Sequence, residues 1–369
     1  MTIRDKTPSP SGATFLAMHE IVQKARQKLN HDAWDYIVGG TETETTLRRN
    51  RASLDALAFR PRVLRDVSQI DLSTHFLGRT LRLPLMLAPV GSLELFCEHA
   101  AADAARAAGE FGIAHMLSSI CTPGLEGVAQ AAPETQRLFQ LYVHGDSAWV
   151  DEVAARAVTQ GYSAFCLTVD SALYSRRERD LAKRNIRRSV VPGREHQATL
   201  TWKDVSRLKS NLSIPLILKG IMTAEDAEMA LEHGVDMIYV SNHGGRQLDH
   251  GLGTMDVLPE IVKVVKGRAK IAIDGGFNRG TDIVKAIAAG ADLVGLGRMQ
   301  CYGLAADGVA GVVRMLELLE VEIRICMGLL GVNSFAELNP RYLQSAPALG
   351  NSEVLSAFPL LSLEDKSFY

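Results

Sequence analysis

The sequence predicts an α/β chain folded as a closed (β/α)8 TIM barrel with an N-terminal helical extension, and three observations carry that prediction. Eight short apolar runs alternate with longer amphipathic stretches between about residues 83 and 330, the beat of parallel strands joined by crossover helices. Eight such units in roughly 230 residues match the usual size of a barrel. Polar residues fall at the C-terminal end of run after run. A barrel gathers those ends on one face, whereas an open doubly wound sheet spreads them along an edge.

The elements follow in order. Residues 1–12 are polar, carry two prolines and read as a disordered tail, which leaves 13–369 as a single domain. Leu16, Ile21, Val22, Ala25 and Leu29 have roughly helical spacing over Phe15–Leu29. A second helix covers Ala33–Val38 and stops at Gly39-Gly40; a third covers Thr43–Leu57. Alternating apolar and turn residues from Phe59 to Arg82 predict small outer strands. The barrel strands are placed at Leu83–Ala88, Ile113–Ser118, Arg137–Tyr142, Ala164–Val169, Ile214–Lys219, Met237–Ser241, Lys270–Asp274 and Leu293–Leu296. Helices are placed at Glu98–Glu110, Gly124–Ala131, Ala148–Thr159, Ala224–Glu232, Val257–Val265, Gly280–Ala289 and Leu304–Leu330. The weakest helical pattern, Trp202–Leu208, lies between strands four and five.

Composition narrows the function. The chain has 369 residues, 47% apolar and 22% charged, near globular averages. Forty basic against 42 acidic residues leave a formal net charge of -2, which offers nucleic acid no bulk attraction. No apolar run reaches the length of a bilayer span, and the N-terminus lacks a secretory-signal pattern. The expectation is a soluble, cytoplasmic protein that binds neither nucleic acid nor membrane. The five cysteines are far apart and none forms a Cys-x-x-Cys pair, so they read as buried thiols of a reducing compartment. No His/Asp/Glu cluster has metal-ligand spacing, and no metal is expected.

Chemistry concentrates after the apolar run Val235–Val240, where Ser241-Asn242-His243-Gly244-Gly245-Arg246-Gln247-Leu248-Asp249 forms a glycine-rich turn. His243 can take a proton near neutral pH, and Arg246 can grip a carboxylate through two parallel hydrogen bonds. Asp170, ending strand four, either steadies a protonated His243 or caps its own loop. Lys219 ends an apolar strand; it forms a Schiff base, stabilises negative charge on a cofactor, or snorkels to solvent. The loops Asp274–Gly280 and Gly295–Arg298 follow strands seven and eight, the usual phosphate site of a barrel. No G-x-G-x-x-G or Walker motif supports a nicotinamide or nucleoside triphosphate. Arg177 lies in a basic run extending to Arg188, of which only one arginine need face a pocket. His99, His115 and His233 read as structural.

These residues resemble the FMN-dependent 2-hydroxy-acid oxidases and dehydrogenases, a family that includes glycolate oxidase, lactate oxidase and mandelate dehydrogenase. The similarity runs from about Ala33 to Ala336. It takes in Trp34-Asp35-Tyr36, Leu87-Ala88-Pro89, Phe139–Val143, Leu167–Asp170, Leu218-Lys219-Gly220, Asp274-Gly275-Gly276 and Gly297-Arg298, besides the 241–249 signature. The resemblance implies FMN as cofactor and oxidation of an L-2-hydroxy acid to the 2-oxo acid. His243 would be the base, Asp170 would stabilise its imidazolium, and Tyr142 would bond the substrate hydroxyl. Tyr36, Arg177 and Arg246 would hold the substrate carboxylate. Pro89, Val90, Gly91, Ser118, Gln140 and Thr168 would lie along the flavin ring. Lys219 would stand near flavin N1, with Ser241 and Asp274 on the cofactor's flank. Gly276, Asn278, Gly297 and Arg298 would serve the phosphate. Flavin N5 would accept the C2 hydrogen, whether it leaves as hydride or through a carbanion. Oxygen is the expected re-oxidant, with a quinone or protein acceptor as the alternative, and a homotetramer is implied.

Several departures from the family pattern bear on specificity. Val90-Gly91 replaces the Thr-Ala of glycolate oxidase, removing a methyl beside the flavin's reactive edge. Ile120 replaces a tryptophan, which reshapes the pocket and raises the alternative of a specialised enzyme acting on a bulky or aromatic hydroxy acid. Asn278 stands where an arginine is frequent. Residues 92–99 are unusual for the family. The loop from Arg179 to Thr201 is shorter than in many members and shows no membrane-associating insert.

Overall fold

The computed structural model describes residues 15–183, 193 and 195–362. The tail expected at 1–12 lies outside these residues, as do positions 184–188 of the basic run. Three helices form the N-terminal extension: α1 (Met18–Lys28), α2 (His31–Val38) and α3 (Thr45–Asp55). Asn30 starts α2 by accepting the Ala33 N–H at 2.8 Å, an ordinary side-chain cap.

Strand β1 (Leu57–Phe59) follows, then the hairpin of β2 (Thr74–Phe76) and β3 (Arg79–Leu81). The barrel strands are β4 (Leu85–Leu87), β5 (Ala114–Ser118), β6 (Arg137–Leu141), β7 (Ala164–Thr168), β8 (Leu216–Ile221), β9 (Met237–Val240), β10 (Lys270–Ile273) and β11 (Leu293–Leu296). They close into a ring in chain order, with Leu296 of β11 opposite Leu87 of β4. The eight runs read from the sequence are these eight strands. They read clearly because strands buried on both faces are nearly continuous apolar runs.

Side chains alternate across each strand. Met86, Met116, Leu138, Cys166, Ile217 and Tyr239 belong to one buried cluster filling the barrel, while Leu85, Leu87, Leu117 and Leu218 join the larger cluster under the helices. Phe76 and Leu81 join the inner cluster, and Gln136, just before β6, donates to the Phe76 carbonyl at 2.9 Å. The hairpin therefore plugs the N-terminal end of the barrel and leaves the opposite end for chemistry.

The surrounding helices are α4 (Ala100–Phe111), α5 (Leu125–Ala131), α6 (Ser147–Thr159), α7 (Glu178–Ala182), α8 (Glu195–Ala198), α9 (Trp202–Asn211), α10 (Ala224–Glu232), α11 (Thr254–Val265), α12 (Gly280–Ala288) and α13 (Arg298–Leu330). The last begins earlier than its pattern suggests and is broken by non-helical backbone at Asp307 and Gly308. Its two parts touch across the bend, where a Cβ on Gly311 would lie 2.2 Å from the Gly303 carbonyl oxygen. A further difference is β1, whose first residue was read as helix. It pairs antiparallel with β12 (Leu343–Ser345) near the other end of the chain. No helix among the described residues is long and apolar enough to cross a membrane.

Candidate active site

The C-terminal ends of the barrel strands and the N-terminal helices enclose a cavity of about 280 Å³. Its most unusual backbone lies after β9, where His243, Gly244 and Gly245 have φ of 61°, 65° and 75°. A left-handed histidine is uncommon; here it folds the loop back over the barrel mouth. A Cβ on Gly245 would lie 2.5 Å from the Leu47 backbone, so only glycine lets this loop sit against α3.

His243 is held from both ring nitrogens. Nδ1 lies 3.0 and 3.2 Å from the Asp170 carboxylate oxygens, and Nε2 lies 3.0 Å from the Tyr142 hydroxyl. A bulge in β8 permits the approach: Gly220 has φ of 113°, and a Cβ there would lie 2.6 Å from that of Asp170. Burial pushes the imidazole below its ordinary pKa, partly opposed by Asp170, so it is neutral at pH 7. Burial would raise Asp170, but His243 and Lys219 outweigh it and hold the carboxylate below its usual range. Burial and Asp170 push the Tyr142 phenol upward, which keeps it protonated.

Lys219 donates to the Ser241 hydroxyl at 2.8 Å, and Ser241 donates to Asp274 at 2.6 Å. Burial opposes its charge, yet Asp274 and Asp170 outweigh that and raise the lysine pKa. The buried amine is therefore an ammonium, which removes the free amine that a Schiff base requires and favours stabilisation of an anion.

Arg246 stacks over Tyr36 at 4.6 Å and donates Nη1 to the carbonyls of Tyr36 and Gly39 at 2.6 and 2.9 Å. Its Nη2 is buried without a hydrogen-bond partner among the described residues. Burial, with Arg177 and Arg298 nearby, lowers this guanidinium to about 10, so a carboxylate placed at Nη2 would relieve the strain. Arg177 packs over Tyr174 at 4.7 Å. The Ser175 hydroxyl joins the two arginines, donating to the Arg246 carbonyl at 2.5 Å and receiving Arg177 Nε at 3.4 Å. The Tyr36 hydroxyl donates to the Gly91 carbonyl at 3.2 Å.

The residues present fit a flavin. Ser118 Oγ, both amide atoms of Gln140 and Thr168 Oγ1 are buried with no hydrogen-bond partner among the described residues. They stand on adjacent strands β5, β6 and β7, with Ser118 in register with Gln140. Unsatisfied buried polar atoms are costly; a planar heterocycle with ring N–H and carbonyl groups supplies what they lack. Pro89, Val90, Gly91, Gly276, Asn278, Gly297 and Arg298 line the cavity, whereas Ser118, Gln140 and Thr168 are not among its lining residues.

The expected phosphate end is narrower than the glycine-rich loops suggest. The N–H groups of Asn278 and Arg279 both donate to Asp282 at 3.0 Å, and that of Gly280 donates to Glu322 at 2.7 Å. These three N–H groups at the start of α12 are thus already satisfied. Arg279 turns toward Glu322, leaving Gly276, Asn278, Gly297 and Arg298 along the cavity. Arg298 donates to the carbonyls of Ile37, Gly39 and Gly244 at 2.8, 3.1 and 3.0 Å.

Several participants carried no sequence signal. Asn50 and Asn242 exchange amide hydrogen bonds at 2.8 and 2.7 Å, which ties α3 to the His243 loop. Gln197 donates to the Thr168 carbonyl and accepts from the Val143 N–H. Phe96, from the unusual 92–99 segment, packs against the Tyr36 ring at 6.1 Å.

Known proteins resemble this chain over most of its length. The FMN-dependent dehydrogenase family model matches residues 25–191 and 182–345. The L-lactate oxidase of Nostoc sp. is 38% identical over 358 residues, spanning 88% of this chain and 97% of that protein. Glycolate oxidase 3 of Arabidopsis thaliana is 39% identical over 346 residues, spanning 87% and 94%. Among solved structures, a mandelate oxidase superposes with a TM-score of 0.84 at 33% identity, covering 91% of this chain and all of that one. A mandelate oxidase variant with a C4a-OH-FMN adduct scores 0.82 at 34% identity, covering 89% and 99%.

Proposed function

This chain belongs to the FMN-dependent dehydrogenase family, and from that premise we propose how its side chains divide the work of oxidising an L-2-hydroxy acid. The protein is an FMN-dependent 2-hydroxy-acid oxidoreductase. FMN, when bound, supplies the redox chemistry by taking up two electrons. The protein residues supply position and proton transfer.

Arg246, through its free Nη2, and Arg177 bind the substrate carboxylate, with Tyr36 closing that side. Tyr142 steadies the substrate hydroxyl beside Nε2 of His243. The neutral imidazole takes the hydroxyl proton, and Asp170 at Nδ1 stabilises the resulting cation. Lys219 keeps a positive charge where negative charge gathers on reduction. The observation that carries this reading is the neutral His243, held between Asp170 and Tyr142, beside an arginine whose buried Nη2 has no hydrogen-bond partner among the described residues.

We assign oxygen as the re-oxidant, supported by the oxidases among the relatives. Gly91 favours the second reading, electron transfer to a quinone or protein acceptor. Ile120 and Phe96 support a substrate with a bulky or aromatic side chain. The five free cysteines support a reducing cytoplasm, and the family resemblance supports a homotetramer. Anaerobic mixing with glycolate, L-lactate and L-mandelate tests the substrate by bleaching of flavin absorbance. Mandelate should bleach fastest, and equal rates would remove the large-pocket reading. Stopped-flow oxidation of the reduced protein tests the acceptor: re-oxidation by oxygen far slower than turnover with an artificial acceptor would leave the dehydrogenase. His243→Ala should abolish bleaching; retained bleaching would overturn the base assignment.

A further inference from the structure

We propose that residues 351–358 form the wall that retains FMN at the phosphate end of the cavity, fastened there by Arg279; the proposal rests on the FMN reading above. Val354 lines the same cavity as Gly276, Asn278 and Arg298. Three anchors hold its segment in place. The Ser352 hydroxyl donates to Asp55 at 3.0 Å; Asp55 in turn holds Arg51, whose Nη1 reaches the Gly276 carbonyl at 3.2 Å. Arg279 donates Nη1 to the Ala357 carbonyl at 3.1 Å while gripping Glu322. Phe358, 1% exposed, meets Tyr302 edge-on at 6.4 Å, within the first turns of α13 that Arg298 begins. The anchors therefore reach both loops that would surround the phosphate.

Charge accounting shows why a wall is needed. Arg51 is neutralised by Asp55 and Asp282. Arg279 is neutralised by Glu322. The N–H groups of Asn278, Arg279 and Gly280 are committed to carboxylates. Of the three arginines at this end, Arg298 alone has no ion-pair partner among the described residues, and burial lowers its pKa. A dianionic phosphate here meets one available guanidinium, so its retention depends on enclosure as well as attraction. Arg279, turned from the cavity, acts on the cofactor through the tail it holds.

The test is the release rate of FMN from the holoprotein, read as recovery of free FMN fluorescence on dilution. Wild type is compared with Val354→Ser, Arg279→Met and a chain ending at Gly350. Each change should speed release about tenfold, the effect of losing one medium apolar contact. Circular dichroism and melting of the FMN-free proteins show whether each variant folds. The two point variants carry the test if the shortened chain does not. Release within twofold of wild type in folded Val354→Ser and Arg279→Met would overturn the tail's role while leaving FMN binding intact. A full-length chain that quenches no FMN fluorescence would overturn the cofactor reading, and this proposal with it.

Discussion

A methyl group on Gly91 would lie 2.4 Å from Cδ1 and 2.7 Å from Cγ1 of Ile120. The two departures from the glycolate oxidase pattern at the pocket mouth are therefore one steric unit: this isoleucine occupies the space that an alanine at 91 would claim. Ile120 is 42% exposed, so its tip can swing outward at a rotamer cost of about 1 kcal/mol. Gly91→Ala should fold with nearly unchanged stability and raise KM more for L-mandelate than for glycolate. Adding Ile120→Ala should reverse most of that change, and a double-mutant cycle on KM measures the coupling. Additive effects would show that the two positions act separately.

The His243–Asp170 pair fixes the sign of the pH response. Burial places the imidazole below its ordinary 6.5, and the proposed base role needs it neutral, so kcat/KM should rise with pH along a limb below that value. Asp170 is the leading influence that raises the imidazole pKa. In Asp170→Asn the limb should move to still lower pH, while kcat falls by about 10²–10⁴ as the cation loses its stabilising charge. A pH profile of each protein with one substrate checks both; a limb displaced upward would remove Asp170 from this role.

Legibility in the sequence followed the range of the interaction. The eight barrel strands were readable because each is a local apolar run, and the histidine and arginine of 241–249 because they share one turn. Spacing alone left open whether Asp170 meets His243, and only the family resemblance implied it, since the contact depends on barrel closure and on the bulge at Gly220. Asn50, Ser175 and Gln197 escaped notice because such residues are common and their partners lie far along the chain. The pairing of β1 with β12 was hidden for the same reason: three-residue strands carry little pattern. The break in α13 had only Gly303, Gly308 and Gly311 as a local sign, and helices often tolerate glycine.

Lys219 is charged because Asp274 and Asp170 surround it, and the arrangement predicts a cost for removing it. Lys219→Met leaves the buried Asp274 carboxylate facing an apolar chain. Breaking one side of a buried pair costs about 3–5 kcal/mol. Urea unfolding of the FMN-free protein should show a loss of that order, and Lys219→Met/Asp274→Asn should recover much of it. In the FMN-loaded protein the flavin potential should fall, because a positive charge that favours reduction is gone. An unchanged potential would place Lys219 outside electrostatic reach of the flavin.

Arg179 and Glu44 make the last prediction, because they join the two segments that carry the arginines proposed to hold the substrate. Arg179 donates Nε and Nη2 to Glu44 at 2.6 and 2.8 Å, and Glu44 accepts the Gly40 N–H at 3.0 Å. The neighbouring Gly39 carbonyl accepts from both Arg246 and Arg298, while Arg179 lies on the segment that carries Arg177. The Glu42 N–H also reaches the Arg176 carbonyl, at 2.8 Å. Displacement at this junction would misplace Arg177 relative to Arg246 without touching His243. Glu44→Gln should therefore raise KM roughly three- to fivefold, the range of a partly exposed ion pair, and leave kcat within about twofold. The arginine side chain is 41% exposed, so added salt should raise the wild-type KM toward that of the variant. Steady-state kinetics at low and high ionic strength provide the measurement. A loss confined to kcat would instead place the effect of Glu44 on the proton-transfer step.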